Sequence, residues 1–208
     1  MTAFSPRRPA SRLCLVVVIA LLLAGCARTQ PTNWYQLAVV ADGQAGAGVA
    51  ATAQLFIGLG PIILPELLNR QQIVTRAGAS RVELADRHRW AEPLQDNIAR
   101  VMREDLAILL GTEQIIFYPW SRGTGVDYQV KVEIVRFEGQ GLEQAELETL
   151  WSVLDREGEI VVPQRRSRQE VPAATADHEG LVKALSEALA RCCREIAAEL
   201  ARLPAPHS

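Results

Sequence analysis

The chain has 208 residues, with 22 basic and 24 acidic side chains. Residues 1–25 contain three arginines and no acid, so the remaining 183 residues carry 19 basic and 24 acidic side chains. A net charge near −5 argues against a nucleic-acid partner, which would need a basic face. A length of 183 residues suits one domain better than two.

The N-terminus has the pattern of an export signal. Three arginines precede an uncharged apolar run over 13–23, which is shorter than the roughly 20 residues that span a bilayer. Residues 1–25 are therefore predicted to be a signal peptide. The run ends in Leu23-Ala24-Gly25-Cys26, which resembles the bacterial lipobox, whose cysteine thiol receives the lipid before cleavage. The alternative is an ordinary signal peptide with an incidental cysteine.

If Cys26 is lipidated, with palmitate among its acyl chains, residues 26–33 form a tether. The covalent lipid is the only non-protein group that we expect. One acyl chain holds a protein marginally, whereas several anchor it stably. Position 27 is Ala rather than Asp. By resemblance to proteobacterial sorting rules, this residue predicts an outer-membrane lipoprotein on the periplasmic face.

The following residues contain predicted strands separated by turn signals. A Gly/Ala-rich loop over 41–52 separates the first two strands, and Gly60-Pro61 is expected to end the second because proline cannot donate to a ladder. A hairpin turn is predicted over 77–80. The predicted strands are 34–39, 54–59, 73–76, 81–84, 115–118, 128–134, 145–153 and 160–171.

Two amphipathic helices complete the pattern. The first follows Pro93 and stops at Gly111, and the second covers about 177–203 with one apolar and one charged face. The order predicts an α+β fold: a mainly antiparallel sheet with both helices packed on it. We expect one domain over 34–203 and a disordered tail over 204–208.

Candidate chemical groups are sparse. His88, His178 and His207 are far apart in sequence, and Asp86-Arg87-His88-Arg89 is expected to form a solvated loop. Gly58-Leu59-Gly60-Pro61 is half of a dinucleotide-binding loop, but Pro61 removes an amide that a phosphate would use. We therefore predict no enzyme and no metal site.

Two further features leave alternatives open. Cys192 and Cys193 point about 100° apart on a helix, so they pair poorly with each other. They are either small buried hydrophobic residues or an intermolecular disulfide in the oxidising periplasm. Arg165, Arg166 and Arg168 either guard an edge strand with charge or meet lipid headgroups or an acidic partner.

The segment 57–76, IGLGPIILPELLNRQQIVTR, resembles the pattern of the PqiC family. This family comprises lipoprotein subunits of a membrane-integrity transporter, also described as ABC-type transport auxiliary lipoproteins. Leu67 and Asn69 depart mildly from the family's aromatic and aspartate. Arg89-Trp90-Ala91-Glu92-Pro93-Leu94 resembles a second signature of the family, and the likeness covers nearly the whole mature chain.

The resemblance implies a non-enzymatic protein that works beside a mammalian-cell-entry-type tunnel protein of the inner membrane and helps lipid cross the periplasm. Two rival functions stay open: an envelope scaffold or assembly lipoprotein, and a small-molecule binding module. We expect a homo-oligomeric ring, in which segment 57–76 meets the edge strand and Glu66 or another acid pairs with its arginines. The predicted contact residues are Pro61, Pro65, Leu67, Leu68, Arg70, Arg76, Arg165, Arg166 and Arg168. For Leu67 and Leu68 the alternative stays open that both fill the domain's own core.

Overall fold

The computed structural model describes residues 30–41, 54–121 and 123–204. The predicted signal peptide, the lipidation site Cys26 and most of the predicted loop over 41–52 lie outside the described residues, as do residues 205–208 of the predicted tail.

Eight strands of the described chain form one mixed sheet, which two helices accompany. The strands are Asn33–Tyr35 (β1), Ile57–Ile63 (β2), Gln72–Arg76 (β3), Val82–Trp90 (β4), Ile115–Phe117 (β5), Tyr128–Gln140 (β6), Gln144–Asp155 (β7) and Ile160–Pro172 (β8). The helices are Leu94–Leu110 (α1) and His178–Leu200 (α2). A short 3₁₀ turn, Glu66–Leu68, lies between β2 and β3.

The long strand β6 organises the sheet. On one side it pairs antiparallel with β7, which pairs antiparallel with the edge strand β8. On the other side its first half pairs in parallel with β2, which pairs in parallel with β5. Its last two residues pair in parallel with β3, followed by antiparallel β4 and parallel β1. β6 therefore carries two separate arms, β2–β5 and β3–β4–β1.

Both helices pack through apolar stripes, as predicted. α2 contacts β7, β8 and α1, and α1 also contacts β2 and β5. Asp177 caps α2 by accepting a hydrogen bond from the Gly180 amide at 2.7 Å, and Gly111 ends α1 at a positive φ of 66°. The predicted α+β fold is confirmed, with antiparallel pairing dominant among the longest strands. Neither described helix is both long and apolar enough to cross a bilayer.

Besides β6, which continues to Gln140 rather than ending at 134, three strands have boundaries that were predicted wrongly. β2 continues through Gly60-Pro61 because the register shifts between Leu59 and Ile62, so that a bulge accommodates the proline. β1 ends at Tyr35 because the backbone amides of the residues after it donate to side chains of the two helices instead of to a neighbouring strand. The amide of Leu37 donates to Asn97, that of Ala38 to Ser186, and those of Val40 and Ala41 to Asp105.

The third boundary concerns the stretch 85–90, which continues β4 instead of forming a loop. It is held as a strand because Gln72 of β3 lies opposite Arg89 on one side, and β1 pairs with residues 88–90 on the other. The predicted hairpin at 77–80 is confirmed, since Arg76 pairs with Val82.

Candidate partner-binding surface

Segment 57–76 turns mostly towards the protein's own core. Leu68 is only 2% exposed and belongs to the core cluster, whereas Leu67 is partly buried against that cluster. The 3₁₀ turn directs Leu68 inward, which favours the alternative that this leucine fills the domain's own core rather than facing a partner. Pro61 and Pro65, which both precede this turn, are half-buried.

The two arginines of this segment have partners within the chain. Arg70 donates from Nε to the Leu67 carbonyl at 2.6 Å, which closes the turn on itself. Arg76 donates from Nε and Nη2 to the two carboxylate oxygens of Glu138, at 2.6 and 3.1 Å. The Glu138 side chain is 2% exposed, and its hydrogen bond and charge raise the pKa of Arg76. Arg76 thus fastens β3 to β6 through a bidentate ion pair.

Sequence reasoning missed an exposed apolar edge on the β2–β5 arm. We call Ile63, Phe117, Tyr118 and Trp120 the aromatic edge. The first three are exposed by 55%, 42% and 52%, and Trp120 is half-buried. Tyr118 meets Trp120 edge to face at 5.6 Å between ring centroids, and the guanidinium of Arg103 lies 5.5 Å from the Phe117 ring centroid. Exposed aromatic side chains of this kind are enriched at protein–protein interfaces.

Two glycines make room for these rings. A Cβ atom on Gly58 would lie 2.3 Å from the Trp120 ring, and one on Gly60 would lie 3.0 Å from the Tyr118 Cβ. Gly60 also has a φ of 116°, which disfavours any other residue. The two glycines in β2 are the sequence feature that could have indicated this packing. However, nothing in the sequence shows that residues 118–120 are the ones that pack on them.

The edge-strand arginines separate onto two sides of β8. Arg165 donates to Glu199 of α2 at 3.1 Å, on the helix side. Arg166 and Arg168 both donate to Glu148 of β7, on the open side, and the Arg168 bond is 3.2 Å long. Successive strand residues point to opposite faces, which explains the division.

Glu148 is a buried carboxylate surrounded by guanidinium groups. Its side chain is 3% exposed, and Arg136 lies 3.8 Å away in addition to Arg166 and Arg168. Burial raises the pKa of Glu148, but the hydrogen bonds and charges of Arg168 and Arg166 outweigh burial and lower it below its ordinary value. Both arginines already have a carboxylate partner, so an acid from another molecule is not needed to balance them.

A histidine pair joins β4, in the β3–β4–β1 arm, to the first turn of α2. The rings of His88 and His178 stack with centroids 3.6 Å apart and an interplanar angle of 6°, and the Tyr35 hydroxyl lies 2.8 Å from His88 Nδ1. Burial lowers the pKa of His178, as does the charge of His88, against an opposing effect of Asp177. Both histidines border an open cleft of about 460 Å³ beside β4. Tertiary structure alone brings them together.

The metal-ligating side chains and the cysteines of the described residues are the remaining candidate chemical groups. Among the described residues, no group of three or more His, Cys, Asp or Glu side chains could hold a metal ion. Cys192 and Cys193 are free and fully buried, and burial raises the pKa of Cys192 to about 11. An intermolecular disulfide would need an accessible thiol, so the burial of both favours the interpretation as small core residues.

Comparison with known proteins agrees with the fold. No curated protein matches the chain. A solved structure of an uncharacterized protein has a TM-score of 0.66 at 17% identity, covering 82% of this chain and 99% of its own. A Xanthomonas campestris protein of the DUF330 family has a TM-score of 0.64 at 16% identity, covering 81% of this chain and 95% of its own. At these identities the similarity shows the fold alone.

A family match is more specific. The model of the family described as ABC-type transport auxiliary lipoprotein component matches residues 35–197. This range contains every described strand from the end of β1 to β8, both segments that resemble the PqiC pattern, and nearly all of α2. The chain therefore belongs to the family of ABC-type transport auxiliary lipoprotein components.

Proposed function

We propose that this lipoprotein is the outer-membrane subunit of an envelope-spanning lipid transport system. Anchored through Cys26 on the periplasmic face, it docks a mammalian-cell-entry-type tunnel protein and supports membrane integrity. The observation that carries the proposal is the aromatic edge, an exposed apolar surface on a domain whose family serves transport.

The aromatic edge suits docking for two reasons. β5 covers β2 only up to Leu59, so Ile63 lies beyond the end of the neighbouring strand and keeps more than half of its surface exposed. Tyr118 and Phe117 are large, and their burial in an interface would remove much apolar area from water. Pro61 lies within β2, and Pro65 and Leu67 follow Ile63 along the chain; all three are partly buried.

The docking proposal is tested by co-purification with the tunnel protein from detergent-solubilised envelopes. The double variant Ile63→Ser with Tyr118→Ser should lose the tunnel protein, because it removes two exposed apolar contacts without opening the core. Ile108→Ser is the matched control, since Ile108 is an exposed apolar residue (37%) on α1. Undiminished recovery of the tunnel protein by the double variant, in a folded protein, would contradict the docking surface.

The homo-oligomeric ring also remains a proposal. A ring needs two different faces of the domain to meet, and β8 presents an edge that pairs only with β7. Since the edge arginines have partners within the chain, apolar contacts would supply most of the affinity, and exposed ion pairs would add about 0–1 kcal/mol each. Anchoring to one membrane raises the effective concentration and favours assembly.

Crosslinking in intact outer membranes tests the ring. Glu66→Cys and Gln164→Cys place thiols at exposed positions of the 3₁₀ turn and the edge strand, while Cys192 and Cys193 are buried. A ladder of higher species that requires both substitutions supports a heterologous ring. Each single variant is the control. Monomer in the double variant at native expression would contradict the ring.

A further inference from the structure

The first described strand carries an exposed tryptophan. Trp34 is 54% exposed, whereas Trp90 and Trp151 are each 2% exposed and Trp120 is half-buried. Among the strands of the described residues, its strand β1 pairs with β4 alone and lies at one end of the strand order. A single exposed apolar side chain is normal on a protein surface, so the surroundings of Trp34 decide what it can do.

The surroundings of Trp34 combine an apolar opening with charged side chains. A shallow cleft of about 340 Å³ lies between residues 34–38 and the first turns of α2, where Lys183 pairs with Glu179 at 2.7 Å. On β4, Arg89 is the register neighbour of Trp34, and Arg87 is exposed. The exposed acids Glu83 and Asp86 on the same strand offset these arginines, so charge alone does not define the partner.

The length of the tether restricts what Trp34 can reach. Cys26 precedes Trp34 by eight residues, and a fully extended chain covers at most about 3.6 Å per residue, or about 29 Å. A lipid on Cys26 therefore keeps Trp34 within this distance of the bilayer. Tryptophan is enriched at membrane–water interfaces because its ring is apolar while its N–H can donate a hydrogen bond.

We propose that Trp34 docks on the lipid headgroup region of the membrane that holds the acyl anchor, with β1 towards the bilayer. The inference rests on the proposed function, which supplies the lipid on Cys26. Membrane lipid, rather than a second protein, is favoured because the tether keeps this strand within about 29 Å of lipid at all times. The aromatic edge belongs to the other arm of the sheet, so the two surfaces consist of different strands.

The test uses the full-length lipidated protein in vesicles of phosphatidylcholine and phosphatidylglycerol, with and without bromine on the acyl chains near the headgroups. Bromine quenches tryptophan emission on close approach. We expect bromine-dependent quenching in the wild type, its retention in Trp120→Phe and its loss in Trp34→Phe. Both substitutions keep an aromatic ring, and thermal unfolding of each variant confirms that the domain remains folded.

Three outcomes would overturn the inference. Quenching that persists in Trp34→Phe would assign the lipid contact to another residue. Protein that floats with the vesicles but is not quenched would leave the anchor intact and exclude docking, including the case in which a second copy covers Trp34. Protein that fails to float would refute the anchor itself, and with it both the docking and the proposed localisation.

Discussion

The two faces of β6, β7 and β8 are built from the same strands but stabilised in different ways. The face towards α2 contains fully buried apolar side chains such as Phe137 and Leu147. The open face contains the buried carboxylates of Glu138 and Glu148, together with that of Glu146. Arginines cover these carboxylates where no helix does.

The comparison shows that burial alone does not identify the stabilising interaction. Burial of apolar groups on the helix face is favourable by about 25 cal/mol per Å². A buried carboxylate loses hydration, and its ion pairs roughly compensate for that loss. The helix face should therefore contribute most of the net stability, whereas the open face should respond most to pH and to the loss of a single charge.

The largest effect is expected on the helix face. Phe137→Ala should lower the free energy of unfolding by about 4 kcal/mol, because Phe137 is 2% exposed and its loss leaves a cavity. Denaturant unfolding measures the change. Ile160→Ala is the control, since Ile160 is 64% exposed and should stay within about 0.5 kcal/mol of wild type. Equal effects of both variants would contradict the packing.

The next effect separates pairing from burial on the open face. Arg76→Ala should destabilise by about 3 kcal/mol, because it leaves the carboxylate of Glu138 buried without its bidentate partner. The double variant Arg76→Met with Glu138→Leu should recover most of that loss. If the double variant is no more stable than Arg76→Ala, the cost does not come from the unpaired charge.

Acid should weaken the open face through Glu148. Because its pKa in the folded protein lies below the ordinary value of 4.5, the unfolded chain binds the proton first as the pH falls. The stabilisation is complete above about pH 4.5 and is lost as the pH falls through the folded pKa. Glu148→Gln should therefore flatten this part of the curve of unfolding free energy against pH. An unchanged slope would contradict the assignment.

A smaller pH effect is expected on the helix side, at the histidine pair. The pKa of His178 in the folded protein lies below its ordinary value of 6.5, so the unfolded chain again binds the proton first. Stability should be complete above pH 6.5 and decline as the pH falls through that value, at higher pH than the effect of Glu148. His178→Gln should remove this decline, and titration of its ring by NMR would check the direction of the shift.

The smallest effect should come from Arg166→Ala. Arg166 is 63% exposed, and Glu148 keeps its hydrogen bond from Arg168, so we expect a loss of no more than about 1 kcal/mol in unfolding free energy. Arg166→Lys is the matched control because it keeps the charge. A loss as large as that of Arg76→Ala would mean that exposed and buried pairs on this face are equivalent.

The sequence by itself determined the fold class, both helices and the edge strand. Apolar stripes at helical spacing predict both helices, and Gly111 predicts the end of the first. Alternation along β6 predicts a strand, and a proline with several arginines marks β8 as an edge strand. The family resemblance of segment 57–76 agrees with the family that matches residues 35–197.

Tertiary structure alone decided which side chains meet. Some of these contacts override a local turn signal, as where β2 continues through Gly60-Pro61 and where Leu68 points inward. Others join elements that are separate in sequence, as where His88 stacks on His178 and Trp120 packs on Gly58. Periodicity shows that a residue lies on one side of an element, but not what covers that side. That depends on strand order and helix placement, which long-range burial and pairing determine.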